Sequence, residues 1–170
     1  MPTMLRMRFT SHLRNLAMSI ANEAFGKSGF NAMHIRMGDY AWKRKDTEAS
    51  KFISDVKAMH WNLSLPTYIA TEPNRDEKFF APLVEGLKKG NVLFSSDLPR
   101  HLVTRFTYAF PPGRIRGDML GILEQLICAQ GKSFYGTFFS TFSKYIKFMR
   151  QHRAELFPET LNLVDTGGDV

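Results

Sequence analysis

The chain has 170 residues, 44% of them apolar, with 15 Phe and 23 Lys and Arg against 16 Asp and Glu, a formal net charge of +7. That length suits one domain with a real core, no stretch reaches the ~18 uninterrupted apolar residues of a membrane span, and a lone Cys128 excludes an intrachain disulfide framework or a cysteine-rich zinc site. The positive balance points to an anionic partner, and a nucleic acid, an anionic membrane and a phosphorylated small molecule all qualify.

The opening segment "MPTMLRMRFTSHLRN" is basic, with no apolar block before a small-residue cleavage site, and does not read as a secretory leader. Leu13, Leu16, Ala17, Ile20, Ala21 and Ala24 then recur at helical spacing, and Gly26 and Gly29 stop that helix. "FNAMHIR" reads as the first strand. A second helix over 47–60 shows Phe52, Val56 and Met59 on one face. "PTYIAT" is a short strand, after which Asn74 and Glu77 have the spacing of a capping pair. The helix that follows packs Phe79, Phe80, Leu83 and Leu87, is kinked or shortened by Pro82, and ends at Gly90. "NVLF" is a third strand. Residues 95–117 give no assignment beyond a loop at "YAFPPGRIRG". A helix over 119–130 follows, capped by Gly131; Cys128 within it reads as a buried structural thiol. "SFYGT" is a fourth strand. The last helix, about 140–153, turns Phe142, Tyr145, Ile146 and Met149 inward, with Lys144, Lys147 and Arg150 on a solvated outer face.

Strands alternating with helices predict one α/β domain over 1–170, a Rossmann-like three-layer fold with a mostly parallel sheet. Parallel strands are buried on both faces, which suits the near-continuous apolar runs. Ligands of such folds bind beyond the carboxyl ends of the strands, and two segments fall there. In "HIRMGD", Arg36 offers a planar fork of donors suited to phosphate oxygens; a structural pairing with Asp39 is the alternative. His34 shares the face of Arg36 on a strand, as a core residue or a ligand contact. Gly38 and Asp39 form a turn that lets backbone approach a ligand. In "FYGTFFSTFSKYI", a strand and glycine turn lead into a helix whose first amides, with the hydroxyls of Ser140 and Thr141, can bind an anion. The same residues also serve as ordinary N-caps.

"GKS" occurs at 26–28 and 131–133, but each copy follows a helix and precedes a strand, the reverse of a phosphate-binding P-loop. Asn62-Leu63-Ser64 is a formal glycosylation acceptor. No cluster with metal-ligand spacing and no Ser-His-Asp arrangement stands out.

Together the motifs resemble the GDP-fucose protein O-fucosyltransferase family and related inverting fucosyltransferases. "HIRMGD" matches that family's His-x-Arg-x-Gly-Asp strand end, "LEQLICAQGKSFYGTFFSTFS" is similar in order and spacing to its acidic residue, apolar helix, Phe-x-Gly-Thr strand end and Ser-Thr-Phe helix start, and "LPTYIATEPNRDE" resembles its strand ending in Thr-Asp or Thr-Glu. The resemblance runs from the first helix to about Arg153. It implies one half of a GT-B architecture, the C-terminal, donor-binding half. It also implies a metal-independent transfer of fucose from GDP-fucose with inversion, to a protein or glycan acceptor, with no cofactor besides the donor. Arg36 would hold the β-phosphate and stabilise the departing diphosphate; His34, Gly38, Asp39, Ser140, Thr141 and Phe142 would line the donor site, and Asp118 would hold guanine. The family's N-terminal half has no counterpart here, so a non-catalytic nucleotide-sugar-binding fragment, completed by that half or another chain, is the alternative. The family works in the secretory lumen or on cytoplasmic targets. A nucleic-acid-binding domain would explain the charge but neither motif, and no nucleic-acid partner is expected.

Overall fold

The computed structural model describes residues 9–37, 48–87, 91–137 and 140–157. Its first helix, α1 (Ser11–Phe25), begins where the Thr10 hydroxyl accepts the Leu13 amide at 3.3 Å. It ends at Gly26, whose φ of +67°, like the +76° of Gly29, favours a residue without a Cβ. Then come β1 (Asn31–His34), α2 (Ala49–Ala58), β2 (Thr67–Ala70), α3 (Glu77–Gly86), β3 (Val92–Phe94), a 3-10 turn (Ser95–Asp97), α4 (Arg100–Tyr108), α5 (Arg114–Gln130), β4 (Phe134–Gly136), α6 (Thr141–Gln151) and α7 (Arg153–Leu156).

The four strands form one parallel sheet in the order β3-β2-β1-β4. The architecture is the Rossmann-like α/β arrangement that the sequence predicts. Alternation along the strands sends side chains to two cores. Ala32, Tyr68, Ala70 and Phe134 pack with α1, α5 and α6 on one face, while Met33, Ile35, Ile69 and Phe94 pack with α2 and α3 on the other. Cys128 is fully buried in the first core, and burial pushes its thiol well above the ordinary range. Gly131 lets α5 end against β1, since a Cβ there would lie 2.8 Å from that of Ala32.

Several sequence expectations need correction. Residues 95–117 are mostly ordered helix, and α5 starts at Arg114 instead of at 119. The cap of α3 is Asp76, whose carboxylate accepts the Lys78 amide at 3.0 Å, not Asn74. Pro82 sits inside the uninterrupted ten-residue α3. Arg150 is buried rather than solvated, donating to the carbonyls of Gly131, Ala129 and Lys132 at the end of α5. Gly90 lies outside the described residues.

The chain leaves β1 for β2 and β3 on one side and returns to β4 on the other. The crevice where such connections diverge therefore opens between the carboxyl ends of β1 and β4, the usual ligand position in open α/β sheets.

Candidate functional site

Both motifs converge on that crevice. His34 closes β1 on the α5–α6 face; its Nδ1 is hydrogen-bonded to Ser143 Oγ at 2.7 Å, and its ring stacks on Phe142 with centroids 4.4 Å apart. Thr137, just after β4, ties the two strand ends together. Its hydroxyl donates to the His34 carbonyl and accepts from the Arg36 amide, both at 3.0 Å, and its own amide donates to the His34 carbonyl at 3.0 Å. The approach of α6 to β4 requires Gly136, where a Cβ would lie 2.7 Å from that of Ser143.

Arg36 follows β1 and lines an open hollow of about 360 Å³ with Gln125, Thr141, Phe142 and Tyr145. From the β2 side the Glu72 carboxylate accepts the Met37 amide at 3.0 and 3.2 Å, fixing the backbone directly after Arg36. Burial holds the His34 pKa down at about 4; Glu72 opposes that shift and Arg36 adds to it. The imidazole is therefore neutral at pH 7. Ringed by Ser143 and Phe142, it fixes the geometry of the strand end.

At the start of α6, Ser140 is 2% exposed and caps the helix, its Oγ accepting the Ser143 amide at 3.5 Å. Thr141 is exposed on the first turn. First-turn amides have no partner within a helix and present partial positive charge, and Thr141 and Phe142 of that turn line the hollow that Arg36 shares. A guanidinium beside a helix N-terminus can hold a phosphate or diphosphate.

Of the residues the sequence singles out, His34, Arg36, Ser140, Thr141 and Phe142 come together at one edge. Gly38 and Asp39 lie outside the described residues. Asp118 stands apart, its side chain 68% exposed on the first turns of α5 and 3.8 Å from Arg114. A different carboxylate on α5 reaches β2 and the end of β3. Glu124 accepts hydrogen bonds from the Tyr68 hydroxyl at 3.2 Å and from the Ser95 hydroxyl beyond β3. Burial raises the pKa values of both Glu124 and Tyr68. The sequence reading does not name Glu124, although it is the second residue of the quoted segment "LEQLICAQGKSFYGTFFSTFS". The signal available was its place on the apolar stripe of α5, between Leu123 and Leu126, both buried.

Compared with models of known protein families and with characterised proteins, the chain matches none. Among the described residues no helix is long and apolar enough to cross a membrane.

Proposed function

We propose that the chain is the donor-binding half of a fucosyltransferase-like protein, taking GDP-fucose in the crevice between β1 and β4 and serving an inverting transfer to a protein or glycan acceptor. The observation that carries the reading is the convergence of Arg36 and the α6 N-terminus on the topological switch point, clamped there by the His34–Ser143 hydrogen bond. On this reading Arg36 and the first amides of α6 bind the diphosphate. They also stabilise the charge that grows on it as the sugar departs, a preorganised electrostatic contribution. In place of the exposed Asp118, we assign the guanine edge to Glu124, the α5 carboxylate bonded to Tyr68 and to Ser95 just beyond β3. As the resemblance has it, the transfer needs no metal.

A second reading, a module that binds the nucleotide sugar without transferring it, is favoured by the state of His34. Its ring is buried and committed to Ser143, and so does not serve as a base toward an acceptor.

Calorimetric titration with GDP, GDP-fucose, GDP-mannose, UDP-glucose and inorganic diphosphate tests the site. Arg36→Ala should weaken GDP and diphosphate alike by at least ~10-fold, the scale of a lost charge-assisted contact. Glu124→Gln should weaken GDP while leaving diphosphate unchanged, and Asp118→Asn should change neither. A folded chain that binds none of these compounds would overturn the reading. Transfer or hydrolysis of bound GDP-fucose, assayed with and without acceptor, separates the two readings.

A further inference from the structure

The remaining motif lies at the opposite edge of the sheet. Asn62-Leu63-Ser64 is the chain's only Asn-X-Ser/Thr triplet. After α2 ends, His60 takes a left-handed φ of 55° and Trp61 turns into the second core, 6% exposed. The chain then makes a β-turn in which the Leu65 amide donates to the Asn62 carbonyl at 3.1 Å. That carbonyl also accepts from Asn31 Nδ2 at 3.0 Å, at the amino end of β1. Backbone on both sides of the turn is thus anchored, while the Asn62 side chain is exposed. Its Oδ1 accepts two hydrogen bonds from Ser64, from the amide at 3.1 Å and from the hydroxyl at 2.5 Å.

We propose that Asn62 is an acceptor site for an N-linked oligosaccharide, supplied by a lipid-diphosphate-linked donor wherever the chain meets one. An amide nitrogen is a poor nucleophile because its lone pair is delocalised onto oxygen. Two donors on Oδ1 stabilise negative charge there and make an Nδ2 proton easier to remove. In the transfer, Nδ2 forms a C–N bond to the anomeric carbon of the oligosaccharide. The anomeric C–O bond breaks with its electron pair leaving on the lipid diphosphate, and one Nδ2 proton passes to a base of the transferase. The Ser64 hydrogen bonds span three residues, so they form locally, before the sheet closes. Position matters as well. The turn precedes β2, at the amino edge of the sheet, so a glycan on it projects away from the carboxyl-end crevice between β1 and β4.

The test is expression of the full chain behind a cleavable secretory leader in animal cells, with an appended acceptor tripeptide at the carboxyl terminus reporting lumenal entry. Wild type should carry two glycans, both removed by peptide-N-glycosidase. Asn62→Gln and Ser64→Ala should each carry one, and Ser64→Thr two. Wild type with the tag alone glycosylated would overturn the proposal, as would a second glycan that survives Asn62→Gln.

Discussion

His34 is a titratable group placed where protonation is penalised. Its pKa falls from 6.5 in the unfolded chain to about 4 in the fold. Between those values the unfolded state binds more protons, so stability rises with pH across that window and is lost on acidification. The full shift corresponds to roughly 3 kcal/mol. Urea unfolding of wild type and His34→Gln from pH 7.5 to 4 should therefore show a shallower acid loss in the variant. Glu124, with its raised pKa, works in the opposite sense as pH rises, and the difference between the two proteins removes that contribution. Gly136→Ala should destabilise by about 1–3 kcal/mol, because the new methyl drives into Ser143 and loosens the His34 hydrogen bond. At this scale the sequence was partly legible. The alternation of "HIRMGD" places His34 and Arg36 on one face, but the partner of His34 lies 109 residues on, and local pattern carries no information about that pairing. The same limit separates Asp118 from Glu124. The resemblance implies an acidic residue ahead of the fourth strand, and local pattern does not show that Glu124, not Asp118, is the carboxylate bonded to Tyr68 and Ser95.

The end of α5 is joined to α6 and α7 by arginines acting as a cap. The last carbonyls of a helix have no internal partner, and those at the end of α5 are met by Arg150 and by Arg153, which donates to Gln130 at 2.7 Å and Gly131 at 3.3 Å. Arg150→Met should cost about 2–4 kcal/mol in chemical denaturation, from lost charge-assisted bonds and orphaned carbonyls, while Lys144→Met should stay within about 0.5 kcal/mol. The sequence pattern misplaced Arg150 for a geometric reason. Three residues advance a helix by about 300°, so two such steps carry position 150 about 120° around from position 144. Lys144 is exposed, Lys147 half-buried and Arg150 buried in consequence. The start of α5 escaped for another reason. Arg114, Ile115 and Gly117 are exposed, so that turn has no apolar period to read. It is held instead by Arg116, donating to the Phe110 carbonyl at 2.9 and 3.3 Å.

Across the whole molecule, two cores share the faces of one sheet, and neither can open without exposing the other's strands. Unfolding should therefore be a single transition. In Trp42→Phe, which leaves Trp61 in the second core as the sole indole, fluorescence and far-ultraviolet dichroism should give coincident urea midpoints. Separate midpoints would show that the two layers melt independently. The alternation of strands with helices was enough to anticipate this architecture, because crossover connections leave a parallel sheet few alternatives. The order of strands was not legible, since it depends on which edge each crossover chooses. The buried thiol offers one further use. Cys128 is the chain's only cysteine and lies on α5, one turn beyond Glu124. A thiol reagent can reach it only when the helix lifts from the sheet, so its labelling rate acts as a clock for opening. On the proposed function, a nucleotide supplied at 100 times its dissociation constant stabilises the closed state by about 2.7 kcal/mol. The clock should then run about 100-fold slower, which would make a silent core residue an occupancy meter for the site beside it.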